Sequence, residues 1–469
     1  MAVLALPKLK RWTNGTFLLT CALMTRRKQR NVTVGFVALG CPKNTVDSER
    51  MLAQIAEAGL FIAAEPSEAD VVIINTCGFI EPAKVESLEA IAQAAANKRR
   101  GNVQKVIVAG CLSQRLGRRL LDEVEGIDAV VSLEQRDHIV EIVRRTLAAR
   151  RPCVYEGPSS NTIADDRTRL RIGPAHSAYL RISEGCDHRC SFCTIPAIRG
   201  PFRSKAKDWV LEEARELVSS GAVELNLIGQ DTTRYGRDLK MKNGLAALLE
   251  ELERIPELVW LRLLYAYPTG LTDDIIGAIA QSDKVVPYLD IPIQHASDRI
   301  LRAMRRRDTA DTLRRLIERL RSAMPDLVLR TTLIVGFPGE TEQEFTELAE
   351  FVEWARFDAL GAFTFFPEVG TPAAELPDPV PDEVKQARLE TLMLAQQGIA
   401  FAKNEARIGD RLTCLLDTVD DGVGQGRFYG QALDIDSLCV VKGCSGAPGR
   451  FVDVKVIGTR DYDLVTEQV

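Results

Sequence analysis

Glu184-Gly185-Cys186-Asp187-His188-Arg189-Cys190-Ser191-Phe192-Cys193 spaces three cysteines as C-x3-C-x2-C directly after a β-rich run at 178–183. Thiolates are the usual ligands of iron–sulfur clusters, and a loop this tight reaches three corners of a cubane while offering no fourth thiolate. Structural zinc is the competing reading, with His188 as the fourth ligand of a closed tetrahedron. His188 lies inside the loop, between two cysteines, so the spacing favours a cluster on Cys186, Cys190 and Cys193 with one iron open.

The position of this loop, at the carboxyl end of a strand, sets how the flanking chain is read. Downstream, strand-like runs at 224–228, 260–265, 288–291, 327–335 and 359–365 alternate with helical stretches at 209–219, 245–254, 299–305 and 342–354. Six β–α units predict a barrel or partial barrel with its chemistry at the carboxyl ends of its strands. Upstream, apolar runs at 32–39, 71–75 and 105–109 also alternate with helices, which predicts a doubly wound parallel sheet covered on both faces. Those runs end in Gly40-Cys41, Thr76-Cys77-Gly78 and Gly110-Cys111. Cysteines that follow strands of one parallel sheet lie along one edge, where open α/β sheets place ligands. The alternative is three buried cysteines filling small apolar sites.

A chain of 469 residues is too long for one core, and about two to four domains are expected. Its eleven cysteines are too sparse for a disulfide scaffold and read as metal binding in a reducing compartment, the cytoplasm. No uncharged apolar run approaches the roughly 18 residues of a membrane span. The net charge of −5 argues against a polycationic nucleic-acid binder. Residues 1–30 carry seven basic and no acidic side chains. They lack the cleavage site of a targeting peptide and read as a disordered extension, with Met24 an alternative start. The expected division is this extension, a sheet domain at 31–150, a linker at 151–176, a barrel at 177–400 and a β module at 401–469. Short β-rich runs at 411–416, 426–433, 438–441 and 450–457, separated by Gly turns, predict an all-β barrel of oligonucleotide-binding type for that module. Cys21, Cys153, Cys414, Cys439 and Cys444 share no ligand pattern and read as structural or free. Arg302, Arg305, Arg306 and Arg307 read as a solvated helix end.

With Phe192 before its last cysteine, the C-x3-C-x2-C loop resembles the signature of radical S-adenosylmethionine enzymes. The resemblance implies a radical-SAM barrel with a [4Fe–4S] cluster whose open iron binds S-adenosylmethionine. Cleavage of that cofactor yields a 5′-deoxyadenosyl radical, while the protein supplies position and dryness. Cofactor contacts are implied for Phe192, for Gly229 and Gln230 after the second barrel strand, and for Gly336 and Gly339 in Ile334-Val-Gly336-Phe-Pro-Gly339-Glu340. Both latter segments also read as ordinary βα turns. Arg330 reads either as a cofactor contact or as an inward salt bridge. The Gly336 segment lacks the Gly-Lys-Ser/Thr ending of a nucleotide triphosphate loop.

Together, the three-cysteine sheet, the radical barrel and the β module make residues 31–469 similar to the methylthiotransferases. That resemblance implies a second [4Fe–4S] cluster on Cys41, Cys77 and Cys111 that carries the sulfur, and a TRAM-like C-terminal barrel. S-adenosylmethionine would then serve as both radical source and methyl donor. The motifs Leu39-Gly-Cys41-Pro-Lys-Asn44, Ile228-Gly-Gln-Asp-Thr-Thr-Arg-Tyr-Gly236, Tyr288-Leu-Asp-Ile-Pro-Ile-Gln-His295 and Phe366-Pro-Glu-Val-Gly-Thr-Pro372 resemble the RimO-like branch, which modifies a ribosomal protein. Gly229 stands where a serine is expected. The implied reaction is methylthiolation of the β-carbon of an aspartate in small-subunit ribosomal protein twelve. A reductant such as flavodoxin or ferredoxin and a sulfur donor are the further implied partners, and a membrane is not among them. The alternatives are a transfer-RNA 2-methylthioadenosine synthase and a non-catalytic RNA- or ribosome-binding iron–sulfur protein. Residues 403–469 carry 8 Lys and Arg against 11 Asp and Glu. An RNA-binding module should be basic, whereas an acidic one complements a basic ribosomal protein.

Overall fold

The computed structural model describes residues 32–157 and 163–469. The extension expected at 1–30, including Cys21 and Met24, lies outside the described residues. Among the described residues, no helix is long and apolar enough to cross a membrane.

The N-terminal sheet is built from β1 (Thr33–Ala38), β2 (Phe61–Ile62), β3 (Val71–Thr76), β4 (Lys105–Gly110), β5 (Ala129–Val131) and β6 (Cys153–Tyr155). All are parallel, in the order β2-β1-β3-β4-β5-β6. Side chains alternate across a strand, and here both faces are apolar. Val34, Val71, Ile73, Ile107 and Val131 pack with Met51 and Ile55 of α1 (Pro42–Glu57) and with the helix Ile139–Ala148. Their neighbours Val72, Ile74, Val106, Val108 and Val130 pack with Ile91 and Ala94 of α2 (Glu81–Arg99) and with Leu112 of α3 (Cys111–Leu116). The sheet is therefore doubly wound. Strand β6 extends it past residue 150, into the segment expected to be linker.

The central sheet consists of β7 (Ser177–Arg181), β10 (Glu224–Ile228), β11 (Trp260–Leu263), β12 (Val285–Asp290), β13 (Val328–Val335) and β14 (Ala359–Thr364), with a small antiparallel pair β8 (Ser183–Glu184) and β9 (Arg203–Ser204) beside it. Its order is β14-β13-β12-β11-β10-β7, all parallel and not closed, a partial barrel. Leu225, Leu227, Leu261, Leu263, Leu289 and Leu329 face the surrounding helices. The alternate positions are polar and meet one another inside: Arg262 pairs with Glu224 at 3.0 Å, and Arg330 with Asp290 at 2.9 Å.

A continuous helix, Asp382–Ala406, spans residue 400 and leads to β15 (Arg411–Asp420), β16 (Val423–Arg427), β17 (Cys439–Lys442), β18 (Phe451–Arg460) and β19 (Asp463–Gln468). These close into a barrel ordered β15-β16-β17-β19-β18 around Cys414, Leu416, Cys439, Val441 and Val454. Strand β19, mostly polar and preceded by Tyr462, matches none of the β-rich runs expected from the sequence. The barrel packs Leu415 and Ala432 against Trp260 and Val328, the first residues of β11 and β13. It is thus seated at the amino ends of the central strands.

Candidate active site

Backbone register brings the upstream cysteines together. Ala38 is paired with Asn75, Asn75 with Ala109, and Thr76 with Gly110, so adjacent strands β1, β3 and β4 end level. Cys77 and Cys111 each follow the last of these pairs, and Cys41 follows β1 by three residues. Small residues are required at this edge. A Cβ on Gly40 would lie 2.8 Å from Cys77 Cβ, and one on Gly110, at φ +96°, would lie 2.4 Å from Asn75 Oδ1. Asn44 ties the loops together by donating to the carbonyls of Leu39 (3.0 Å) and Thr76 (2.8 Å). Ser87 Oγ donates to Cys77 O and accepts from its N–H. Burial opposes ionisation of Cys41, yet Lys43, Arg199 and the backbone N–H groups of Asn44 and Lys43 hold its thiol below the usual range. Cys111 is pushed up to about 12 by burial.

The second triad stands at the carboxyl end of β8. Gly185, at φ +78°, allows the chain to pass Pro201, whose carbonyl oxygen would lie 2.0 Å from an added Cβ. Cys186 N–H donates to Gly200 O, and Ser191 is bonded through its N–H and hydroxyl to Met304 and Ala303. His188 is not free to act as a fourth ligand. It stacks on Tyr267 at 3.9 Å between ring centroids and bonds Asp231 at 2.6 Å. Arg306 lies over Tyr267, 4.4 Å from its ring centroid, pairs with Asp308, and its charge favours the Cys190 thiolate. The solvated helix end expected for this arginine is therefore corrected: it is 7% exposed and supports the cysteine loop. Burial pushes Cys186 and Cys193 up to about 12. Buried thiols become thiolates only with a compensating cation, which iron would supply.

Among the described residues, no three His, Cys, Asp or Glu side chains are grouped closely enough to share a single metal ion. A cubane asks for a wider set, because each thiolate takes a separate iron. The donor chemistry of both triads, three soft thiolates each, fits that group.

The helix that follows the second triad reaches the first across the domain boundary. The helix Ile195–Arg199 begins two residues beyond Cys193, and its Ile198 packs on Cys111. Arg199 donates to Glu184 (2.5 Å), Asn44 (2.7 Å), Asp47 (3.0 Å) and the Cys111 sulfur (3.4 Å). Around it, Arg181 pairs with Asp47 and Asp166, and Arg136 with Asp47 and Glu184. Burial alone would raise the carboxyls of Asp47 and Glu184. The guanidinium groups of Arg136, Arg181 and Arg199 outweigh it and hold both below their usual range. Lys43, the second residue of α1, reaches from the sheet domain to the ring of Tyr265 beyond β11, 3.1 Å from its centroid. Neither Asn44, Arg199 nor Lys43 figures among the residues the sequence singles out. Only the run Pro42-Lys43-Asn44 behind Cys41 hints at two of them.

The expected cofactor contacts fall into two groups. Phe192 packs with Met304, Phe337 and Phe365 beside the cluster loop. Gln230 has both amide atoms buried without a hydrogen-bond partner, as has the Ser183 hydroxyl. Buried polar atoms are rarely left so, and these suit a polar ligand. At Gly229 an added Cβ would lie 2.4 Å from Ser183 Oγ, so the expected serine would require the Ser183 hydroxyl to turn away. By contrast, Arg330 is committed to Asp290 (2.9 Å) and Asp436 (3.4 Å), the inward salt bridge. At the Gly336 turn the N–H of Gly336 donates to Glu340, and that of Gly339 to Asp378 O. Both glycines have positive φ, at +72° and +75°, and shape the turn.

Three family models match the chain: an uncharacterized protein family, UPF0004, at 33–132, the radical SAM superfamily at 180–352 and the TRAM domain at 408–469. In fold it is similar to the radical S-adenosylmethionine methyltransferase TsrM of Kitasatospora setae. With tryptophan and a cofactor analog bound, that enzyme superposes at a TM-score of 0.54 and 14% identity, over 89% of this chain and 82% of that one. Among curated proteins, ribosomal protein uS12 methylthiotransferase RimO of Syntrophomonas wolfei is 45% identical, over 92% of this chain and 99% of that protein. RimO of Pelotomaculum thermopropionicum is 46% identical, over 93% and 99%, and that of Geobacter sulfurreducens 44%, over 92% and 98%. Such identity holds across both cysteine-bearing sheets and the C-terminal barrel at once, and the chain accordingly belongs to the RimO family of methylthiotransferases.

Proposed function

We propose that the protein methylthiolates an aspartate β-carbon of ribosomal protein uS12, acting in the cytoplasm as a radical S-adenosylmethionine enzyme. The observation that carries this reading is the contact between two three-cysteine edges through Arg199, with no fourth thiolate at either among the described residues. Cys186, Cys190 and Cys193 would hold the [4Fe–4S] cluster that binds S-adenosylmethionine, and Cys41, Cys77 and Cys111 a second one. When bound, these groups supply the radical, the methyl group and the sulfur.

The chain's own residues do the positioning. Ser183 and Gln230 offer buried, unpartnered polar atoms to the cofactor, and Phe192 walls it from the Phe337 side. His188, Tyr267 and Arg306 brace the loop that carries the cysteines. The Arg199 network holds the two edges in register, so that one substrate carbon can be served from both. A flavodoxin- or ferredoxin-like reductant and a sulfur donor complete the cycle. The acidic C-terminal module favours a basic protein over RNA as the partner.

Anaerobic reconstitution should give about eight irons per chain. Cys41→Ser should lower iron to about four and abolish sulfur transfer while S-adenosylmethionine cleavage persists. Cys190→Ser should abolish cleavage. Mass spectrometry of uS12 and transfer RNA from a deletion strain decides the substrate: loss of the methylthio mass from transfer RNA alone would defeat the assignment.

A further inference from the structure

Several cations approach the junction of the two cysteine-bearing edges, and the arginines among them are matched. Arg199 is bonded to Glu184, Asn44 and Asp47, and Arg330 to Asp290 and Asp436. Lys43 is different. Among the described residues its ammonium has no carboxylate at ion-pair distance and no hydrogen-bond acceptor, and its contact is the face of Tyr265. The residue is nevertheless only 6% exposed. Lysine is almost never buried so deeply without a partner, since an unmatched charge keeps its desolvation cost. A ring face offsets only part of that cost. Cys41, Cys111 and Asp290 act on its charge from a distance, but no carboxylate of the described residues reaches it, so an added anion has a place to pair with it directly.

Its location states where that anion must come from. Lys43 stands two residues from Cys41, and its charge interacts with Cys41 and Cys111 on one side and with Asp290, at the end of β12, on the other. It therefore bridges the sulfur-bearing edge and the mouth of the barrel, where the reacting carbon has to stand. In an aspartate the carboxylate is one bond from the β-carbon, so it must enter the same space. The nearby acidic groups, Asp290 and Asp47, would repel it, and Arg330 and Arg199 are already occupied by carboxylates. We propose that Lys43, resting on Tyr265, receives the substrate's side-chain carboxylate and thereby selects an aspartate. This rests on the aspartate reading above and deepens it. A neutral amide or a nucleobase would leave the ammonium without that direct counter-charge, and sites built around a charged partner reject analogues that lack it.

The test uses reconstituted holoenzyme with S-adenosylmethionine and no reductant, so that binding is read without turnover. It is titrated with uS12 carrying its target aspartate and with the Asp→Asn form of that protein. Wild type should bind the aspartate form at least about ten-fold more tightly. Lys43→Met should erase that preference by weakening the aspartate form alone, Lys43→Arg should retain much of it, and iron content and cluster absorption should stay unchanged in both. An intact preference in Lys43→Met overturns the proposal. So does loss of iron from that variant, which would assign the lysine to the cluster. Adding reductant separates the two readings. Wild type that modifies uS12 without preferring the aspartate form refutes the role of Lys43 only, whereas failure to modify uS12 refutes the functional reading itself.

Discussion

Arg199 lies 88 residues from Cys111 and 155 from Asn44 in sequence, yet its guanidinium touches both. Only the planar, multi-donor fork of arginine can serve two carboxylates, an amide oxygen and a sulfur together; a lysine ammonium is a point charge with three donors. Arg199→Met should destabilise the folded chain by about 3 kcal/mol, because two buried carboxylates lose a partner. Arg199→Lys should recover part of this. Urea denaturation of the apo-chain measures the loss, and iron counting should show the N-terminal triad loading less completely than the other. An unchanged urea midpoint would mean that Arg136 and Arg181 suffice. The convergence of Cys186, Cys190 and Cys193 is legible from spacing alone, because three cysteines within eight residues must lie close together. The bridging arginine is not, since nothing local distinguishes it from any basic residue at a helix end.

At the scale of elements, the helix Glu342–Ala355 begins with a capping box, in which Thr341 and Glu344 each bond the other's backbone N–H. Burial works against the Glu344 carboxylate, but bonds from Arg299 and Thr341 lower its pKa from 4.5 to about 2. A depressed folded value means that this stabilisation is complete above about pH 4.5 and is lost as pH falls toward 2. Glu344→Gln should therefore cost about 1 kcal/mol near neutral pH, with the gap from wild type narrowing between pH 5 and 3. Urea midpoints across that range check it; a constant gap would mean that the carboxylate's charge plays no part. Elements of this kind, opening on Thr-x-x-Glu and running with helical period, are readable from sequence. So are β3 and β4, six-residue runs of mostly buried β-branched side chains. Strands β5 and β6, at three residues each, are too short to show any period; β5 is a strand because β4 offers an edge, and β6 because β5 does.

Across the whole molecule, the C-terminal barrel is joined to the central one by more than a linker. Arg427 reaches Glu224 at 2.8 Å, Asp417 pairs with His176, Tyr288 donates to Asp436, and Phe451 meets Trp260 edge-on at 4.8 Å. These contacts lie at the amino ends of the central strands, opposite the cysteine loops, so a ribosomal protein gripped by the acidic module would have to extend to the far end to present its aspartate. They also make the module part of the barrel's folding unit. A chain ending at Ala406 should expose Trp260, Tyr288 and Val328, each worth about 1.5–3 kcal/mol when buried, and should leave Glu224 with one guanidinium fewer. The expected result is a lower urea midpoint for the central barrel and a red shift of tryptophan emission, as Trp260, 9% exposed in the full chain, meets water. A truncated chain that melts where the intact one does, with unshifted emission, would make the module an independent domain, and its charge alone would then remain to explain its presence.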